Sequence, residues 1–113
     1  MAFSRNALDH CVSPAETFSN MVQAVRWGGY IVICTAIDEG TAMNWSAGHQ
    51  HNLDLSGNDL VLTSRQGDLV VLTDSVNLRH VWSRRTTAPP PHRGWVEVVY
   101  ERSLPDNMEQ GSQ

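Results

Sequence analysis

Seven consecutive residues, Tyr30-Ile31-Val32-Ile33-Cys34-Thr35-Ala36, form an unbroken apolar and β-branched run, and this run constrains the fold more than any other feature of the chain. It is far too short to cross a bilayer. A strand with one wet face would alternate polar with apolar residues, so an unbroken run predicts a strand covered on both faces inside a sheet. The residues before it predict how the chain arrives there. Ser13-Pro14-Ala15-Glu16 places a capping serine before a proline at the first helical position, with Glu16 spaced to reach back to the cap. Phe18, Met21, Val22 and Val25 then recur three and four residues apart and give one apolar stripe. Gly28-Gly29 supplies a left-handed stop, which ends the helix near Arg26 or Trp27. A helix leading directly into a buried strand predicts an α/β or α+β fold.

Downstream, residues 37–59 mix Asp, Glu, Gly, Asn, Ser and His with scattered apolar positions and read as a long irregular connection, a type of segment that often carries function. Leu60-Val61-Leu62-Thr63 and Leu69-Val70-Val71-Leu72 flank Ser64-Arg65-Gln66-Gly67-Asp68, which predicts an antiparallel β-hairpin with a glycine in its loop. Residues 76–82 read as a strand or a short helix. Pro89-Pro90-Pro91 predicts an extended polyproline-like linker without ladder donors. Trp95-Val96-Glu97-Val98-Val99-Tyr100 closes the chain as a strand. The expected architecture is one domain over residues 1–103 with a polar, disordered tail at 104–113. Its mixed sheet is expected to combine the Tyr30 strand, the 60–72 hairpin and the Trp95 strand, with the Pro14 helix as the one main cover.

The 113 residues are 41% hydrophobic and 18% charged, which suits a folded chain better than a disordered one. Eight basic residues against 12 acidic ones leave a formal charge of -4 and no global field that would gather nucleic acid or anionic lipid, so neither is an expected partner. The N-terminus lacks a signal-peptide pattern, and a cytoplasmic location is expected. Cys11 and Cys34 are too few for a disulfide framework or zinc cluster and read as free thiols.

The order of Ser4-Arg5-Asn6-Ala7-Leu8-Asp9-His10, the helix opened by Ser13-Pro14, and the turn Trp27-Gly28-Gly29-Tyr30 resembles that of class I S-adenosylmethionine-dependent methyltransferases. In that family such a segment leaves the fourth strand, the next helix packs on the sheet, and a lysine-proline-glycine-glycine turn enters the fifth strand. Arg26-Trp27-Gly28-Gly29 stands at that turn, with Trp27 in place of the proline. Gly48-His49-Gln50-His51-Asn52-Leu53 is similar to a stretch after the fifth strand in a subset of the family, with His51 at a tryptophan position. The resemblance covers residues 2–62 well and the rest loosely, and it implies the C-terminal half of a truncated Rossmann-like domain. The family's cofactor pocket rests on a glycine-rich loop after the first strand and an acidic residue after the second, and neither is found in this sequence. No cofactor is therefore expected for the isolated chain, and S-adenosylmethionine only where a partner completes it. A sheet short of its neighbours leaves apolar surface to cover, so a homodimer is expected.

Six residues are ligand-binding candidates. The resemblance implies that Asn6, Asp9 and His10 sit at the carboxyl end of a parallel strand, where open α/β sheets place ligands; the plainer reading has Asp9 and His10 organising the turn before the helix. His10 beside Cys11 does not form a nucleophile and base, since adjacent residues of an extended segment point apart. His49 and His51 alternate and would project to one side like two metal ligands, or belong to a solvated polar loop. The spacing demands no third ligand, so no metal is assigned. Trp45, with Met43, lines an apolar pocket or anchors the loop to the core. Arg79, Arg84, Arg85, His92 and Arg93, interleaved with Trp82 and Trp95, form a local basic cluster that reads as a site for an anionic ligand or a single strand of nucleic acid, or as a solvated face. The expectation for function is a non-enzymatic interaction or small-ligand-binding module derived from a methyltransferase and acting as a homodimer. The alternative is a methyltransferase subunit completed by a separate N-terminal half.

Overall fold

The structure is a computed structural model that describes residues 1–5, 13–42, 44–45, 51–74 and 76–104. In chain order the elements are β1 (Ala2–Arg5), α1 (Pro14–Ala24), β2 (Tyr30–Ala36), α2 (Glu39–Ala42), β3 (His51–Ser56), β4 (Asp59–Ser64), β5 (Leu69–Val71), β6 (Leu78–Thr86) and β7 (Trp95–Arg102). This is an α+β fold, mostly strands with two short helices.

The strands form two sheets. The larger runs β1-β2-β7-β6 and the smaller β3-β4-β5. β1 and β2 are parallel and joined through α1, whereas β2 with β7 and β7 with β6 are antiparallel. The hairpin at residues 60–72 is antiparallel, pairing Val61 with Val71 and Thr63 with Leu69. It does not join the Tyr30 and Trp95 strands, as the single mixed sheet required. β3 takes the other edge of β4 instead, and the meander forms its own layer. β3 also corrects the reading of residues 37–59 as irregular. His51-Asn52-Leu53-Asp54-Leu55-Ser56 alternates with period two, burying Leu53 and Leu55.

One core lies between the layers. Ile31, Ile33, Val96, Val98 and Tyr100 from the larger sheet meet Phe18, Val22 and Val25 of the α1 segment and Leu53, Leu55, Leu60, Leu62 and Leu72 of the smaller sheet. Polar links fasten the two sheets: the Tyr100 hydroxyl donates to the Asn58 carbonyl at 2.7 Å, and Arg85 donates to the Leu55 carbonyl and pairs with Asp54, each at 2.8 Å.

Local details differ from the sequence expectations in instructive ways. Helix α1 begins at Pro14 as predicted, but the Ser13 side chain makes no cap bond and the capping box is absent. The Ser13 carbonyl instead accepts from the Thr17 amide and hydroxyl. The helix stops at Ala24 because Val25 is extended, before the glycines are reached. Residues 76–82 contribute to β6, a strand. Pro89-Pro90-Pro91 is a turn rather than an extended linker: the His92 amide donates to the Pro89 carbonyl, the Pro90-Pro91 bond is cis, and the segment closes the β6–β7 hairpin. Of the expected tail only Leu104 falls among the described residues. No helix among them is long and apolar enough to cross a membrane.

Candidate functional site

Alternation along the strands sorts the larger sheet into two faces. Ile31, Ile33 and Thr35 of β2 and Val96, Val98 and Tyr100 of β7 point into the core. The residues between them point away, and the register lines them up in rows across the strands. One row is Phe3, Val32, Val99 and Trp82; the next is Arg5, Cys34, Glu97 and Arg84. Tyr30, Glu101 and Arg79 form a third row at one end, and Trp95 with Thr86 lies at the other. No described helix or strand covers this face: Phe3 is 59% exposed, Trp82 45%, Tyr30 44% and Trp95 37%. Among the described residues, the expectation that β2 is covered on both faces is met on one side only, with Val32 and Cys34 half-buried on the other.

Charge on the open face is organised in pairs. Arg84 holds Glu97 at 2.6 Å and Arg79 holds Glu101 at 3.1 Å, both across adjacent strands. Arg5 has no ion-pair partner among the described residues. A cavity of about 430 Å³ opens where β1 and β2 end, lined by Phe3, Arg5, Cys34, Arg84, Trp95 and Glu97 among others. At its floor, burial pushes the Cys34 thiol above its ordinary pKa, with Glu97 adding to the rise and Arg5 and Arg84 opposing it. Chemically, the cavity offers cationic and aromatic contacts.

Of the six predicted site residues, Trp45 and His51 fall among the described residues. Asn6, Asp9, His10 and His49 lie outside the described residues, as do Cys11 and Met43. Trp45, at a positive φ of 60°, does not line that cavity; its ring packs over Gly40 and its amide donates to the Gly40 carbonyl at 2.6 Å, so it packs against α2. His51 opens β3 opposite Ser64, and its enclosed Nδ1 has no hydrogen-bond partner among the described residues. Among those residues no three His, Cys, Asp or Glu side chains converge as a metal site would need.

The basic cluster is divided between faces and neutralised. Arg79 and Arg84 lie on the open face with their glutamates, Arg85 turns toward Asp54, and Arg93 pairs with Asp38 at 3.2 Å. Sequence reasoning missed Phe3, Arg5, Cys34 and Glu97 as neighbours, because β1, β2 and β7 are far apart in the chain and only register joins them. The available signal was the alternation of Trp95, Glu97, Val99 and Glu101 with the buried Val96, Val98 and Tyr100. No protein-family model, curated protein or solved structure matches the chain.

Proposed function

We propose that the protein is a non-enzymatic interaction module that acts as a homodimer through the open face of its larger sheet. The observation that carries this reading is β2. Its sequence is that of a strand buried on both sides, yet Val32 and Cys34 and the neighbouring Phe3, Val99 and Trp82 lie on a face that no described element covers. An exposed apolar row of this kind, flanked by charged pairs, suits an association surface. Its size is also suitable. Four strands spaced by about 4.8 Å, with residues rising about 3.3 Å each, make a face of roughly 450 Å² in projection per copy. Two copies packed over the whole face would bury on the order of 900 Å² in projection, and more once side-chain relief is counted, against the roughly 1,200–2,000 Å² of stable interfaces. Aligned sheet-on-sheet packing is the common way to close such a surface. The paired arginines and glutamates give the face both signs of charge, as a self-complementary surface needs. The same reading puts the module in the cytoplasm, where Cys34 stays a thiol.

One observation favours the alternative of a methyltransferase subunit. β1 and β2 run parallel through a helical crossover, in the order that the methyltransferase resemblance implies, and the outer edge of β1 is free among the described residues. A partner's strand added there would extend the sheet and bring the S-adenosylmethionine site with it. Light scattering at micromolar concentration separates the readings. The homodimer gives about twice the chain mass of 12.6 kDa, whereas a subunit awaiting another polypeptide gives a monomer.

A further inference from the structure

We propose that the cavity at the Arg5 and Trp95 end of the open face binds a small aromatic carboxylate. The inference does not rest on self-association, since every group involved belongs to one protomer. The cavity lies at one end of the face proposed above for self-association and shares Phe3 with it.

Four features point to this ligand class. First, Arg5 is the one arginine of the face without an acidic partner among the described residues, while Arg79 and Arg84 each hold a glutamate. Its guanidinium presents a planar fork of donors that matches a carboxylate. Arg84 lines the same cavity, and among the described residues its contact with Glu97 runs through one nitrogen, Nη2, of a guanidinium with five donors. Second, Phe3 and Trp95 border the cavity with much of their rings exposed, offering stacking or edge contacts to an aromatic ring. Third, Glu97 sits in the same wall. Its negative charge repels a dianion more strongly than a monoanion, which favours a carboxylate over phosphate. Fourth, the cavity of about 430 Å³ suits a small molecule and opens at the carboxyl ends of the two parallel strands, where open α/β sheets receive ligands.

Isothermal titration of the full chain with 2-naphthoate tests the proposal, with 2-naphthamide as the ring without charge and inorganic phosphate as the charge without a ring. Naphthoate is expected to bind saturably and at least about tenfold more tightly than either control. Arg5→Gln and Trp95→Leu should each weaken binding about tenfold, while Arg79→Gln, at the far end of the same face, should leave it unchanged. Both substituted side chains are exposed, and thermal melts matching wild type establish that the variants fold. The proposal is overturned by absence of saturable naphthoate binding at millimolar concentration, by equal binding of the amide or of phosphate, or by unchanged binding in Arg5→Gln. Masses measured on the same samples keep this result separate from that of the dimer.

Discussion

At Gly28 and Gly29 two neighbouring glycines are needed for different reasons. Gly28 has φ +81° with open space around it, so an alanine there meets only the left-handed backbone penalty, about 1 kcal/mol. Gly29 has no such φ, but a Cβ on it would fall 2.5 Å from Val25 Cγ1 and 3.0 Å from the Arg26 carbonyl. The sequence predicts a special turn here, while the crowding that governs the second position arises only once the α1 segment packs. Gly29→Val is therefore expected to cost ~2–3 kcal/mol in urea unfolding and Gly28→Ala clearly less. Equal midpoints would place the close contact elsewhere. Cys34 provides a second residue-scale test. Burial and Glu97 raise its pKa, so the thiolate forms only above the ordinary thiol range. In a Cys11→Ser background, the alkylation rate with iodoacetamide should keep rising beyond the pH at which a free thiol levels off. Glu97→Gln should shift the profile to lower pH. A profile at or below that of a free thiol would remove both causes.

Among the elements, the end of α1 depends on a residue 77 positions away. Arg102 on β7 donates to the carbonyls of Gln23 at 3.2 Å and Val25 at 2.6 Å, and its guanidinium lies 3.7 Å from the centre of the Trp27 ring. These bonds satisfy carbonyls that the helix end leaves without partners. Arg102→Ala is expected to cost about 2 kcal/mol and to speed amide exchange in the last turn of α1 before global unfolding. Exchange unchanged in that turn would show that the cap carries no energy. Helix α1, the central strand, the 60–72 hairpin and the closing strand were legible because each is written in local periodicity. β3 was written there too, in the alternation around Leu53 and Leu55, but its Asp, Asn and His content resembled loop composition. The assignment of β4 and β5 to their own sheet was not legible, since nothing local distinguishes a hairpin that joins one sheet from a hairpin that builds another. The triple proline was misread because proline fixes φ without fixing whether the chain runs on or turns.

For the whole molecule, the difference between what β2 encodes and what the described elements of the chain cover is the main finding. Its composition predicts two buried faces; the α1 segment and the smaller sheet supply one cover, and Phe3, Val32, Val99 and Trp82 remain in a row on the other side. Only the first half of that row's logic is visible in the sequence, because the row forms from four strands whose register depends on the tertiary fold. The candidate site was less legible still. Its arginines were seen as one cluster, but pairing with Glu97, Glu101, Asp54 and Asp38 divides them, and Arg5 had no local signal. Val99 lies in the middle of the open face on β7, flanked by Val32 on β2 and Trp82 on β6, with its side chain away from the core. A lysine there keeps its stem over the sheet and its charge in water in a monomer, but would be carried unpaired into a dimer interface. Sedimentation equilibrium of wild type and Val99→Lys in parallel is thus the most direct test. A dimeric wild type with a folded, monomeric variant is the predicted result, and a monomeric wild type, or two proteins of the same mass, would contradict it.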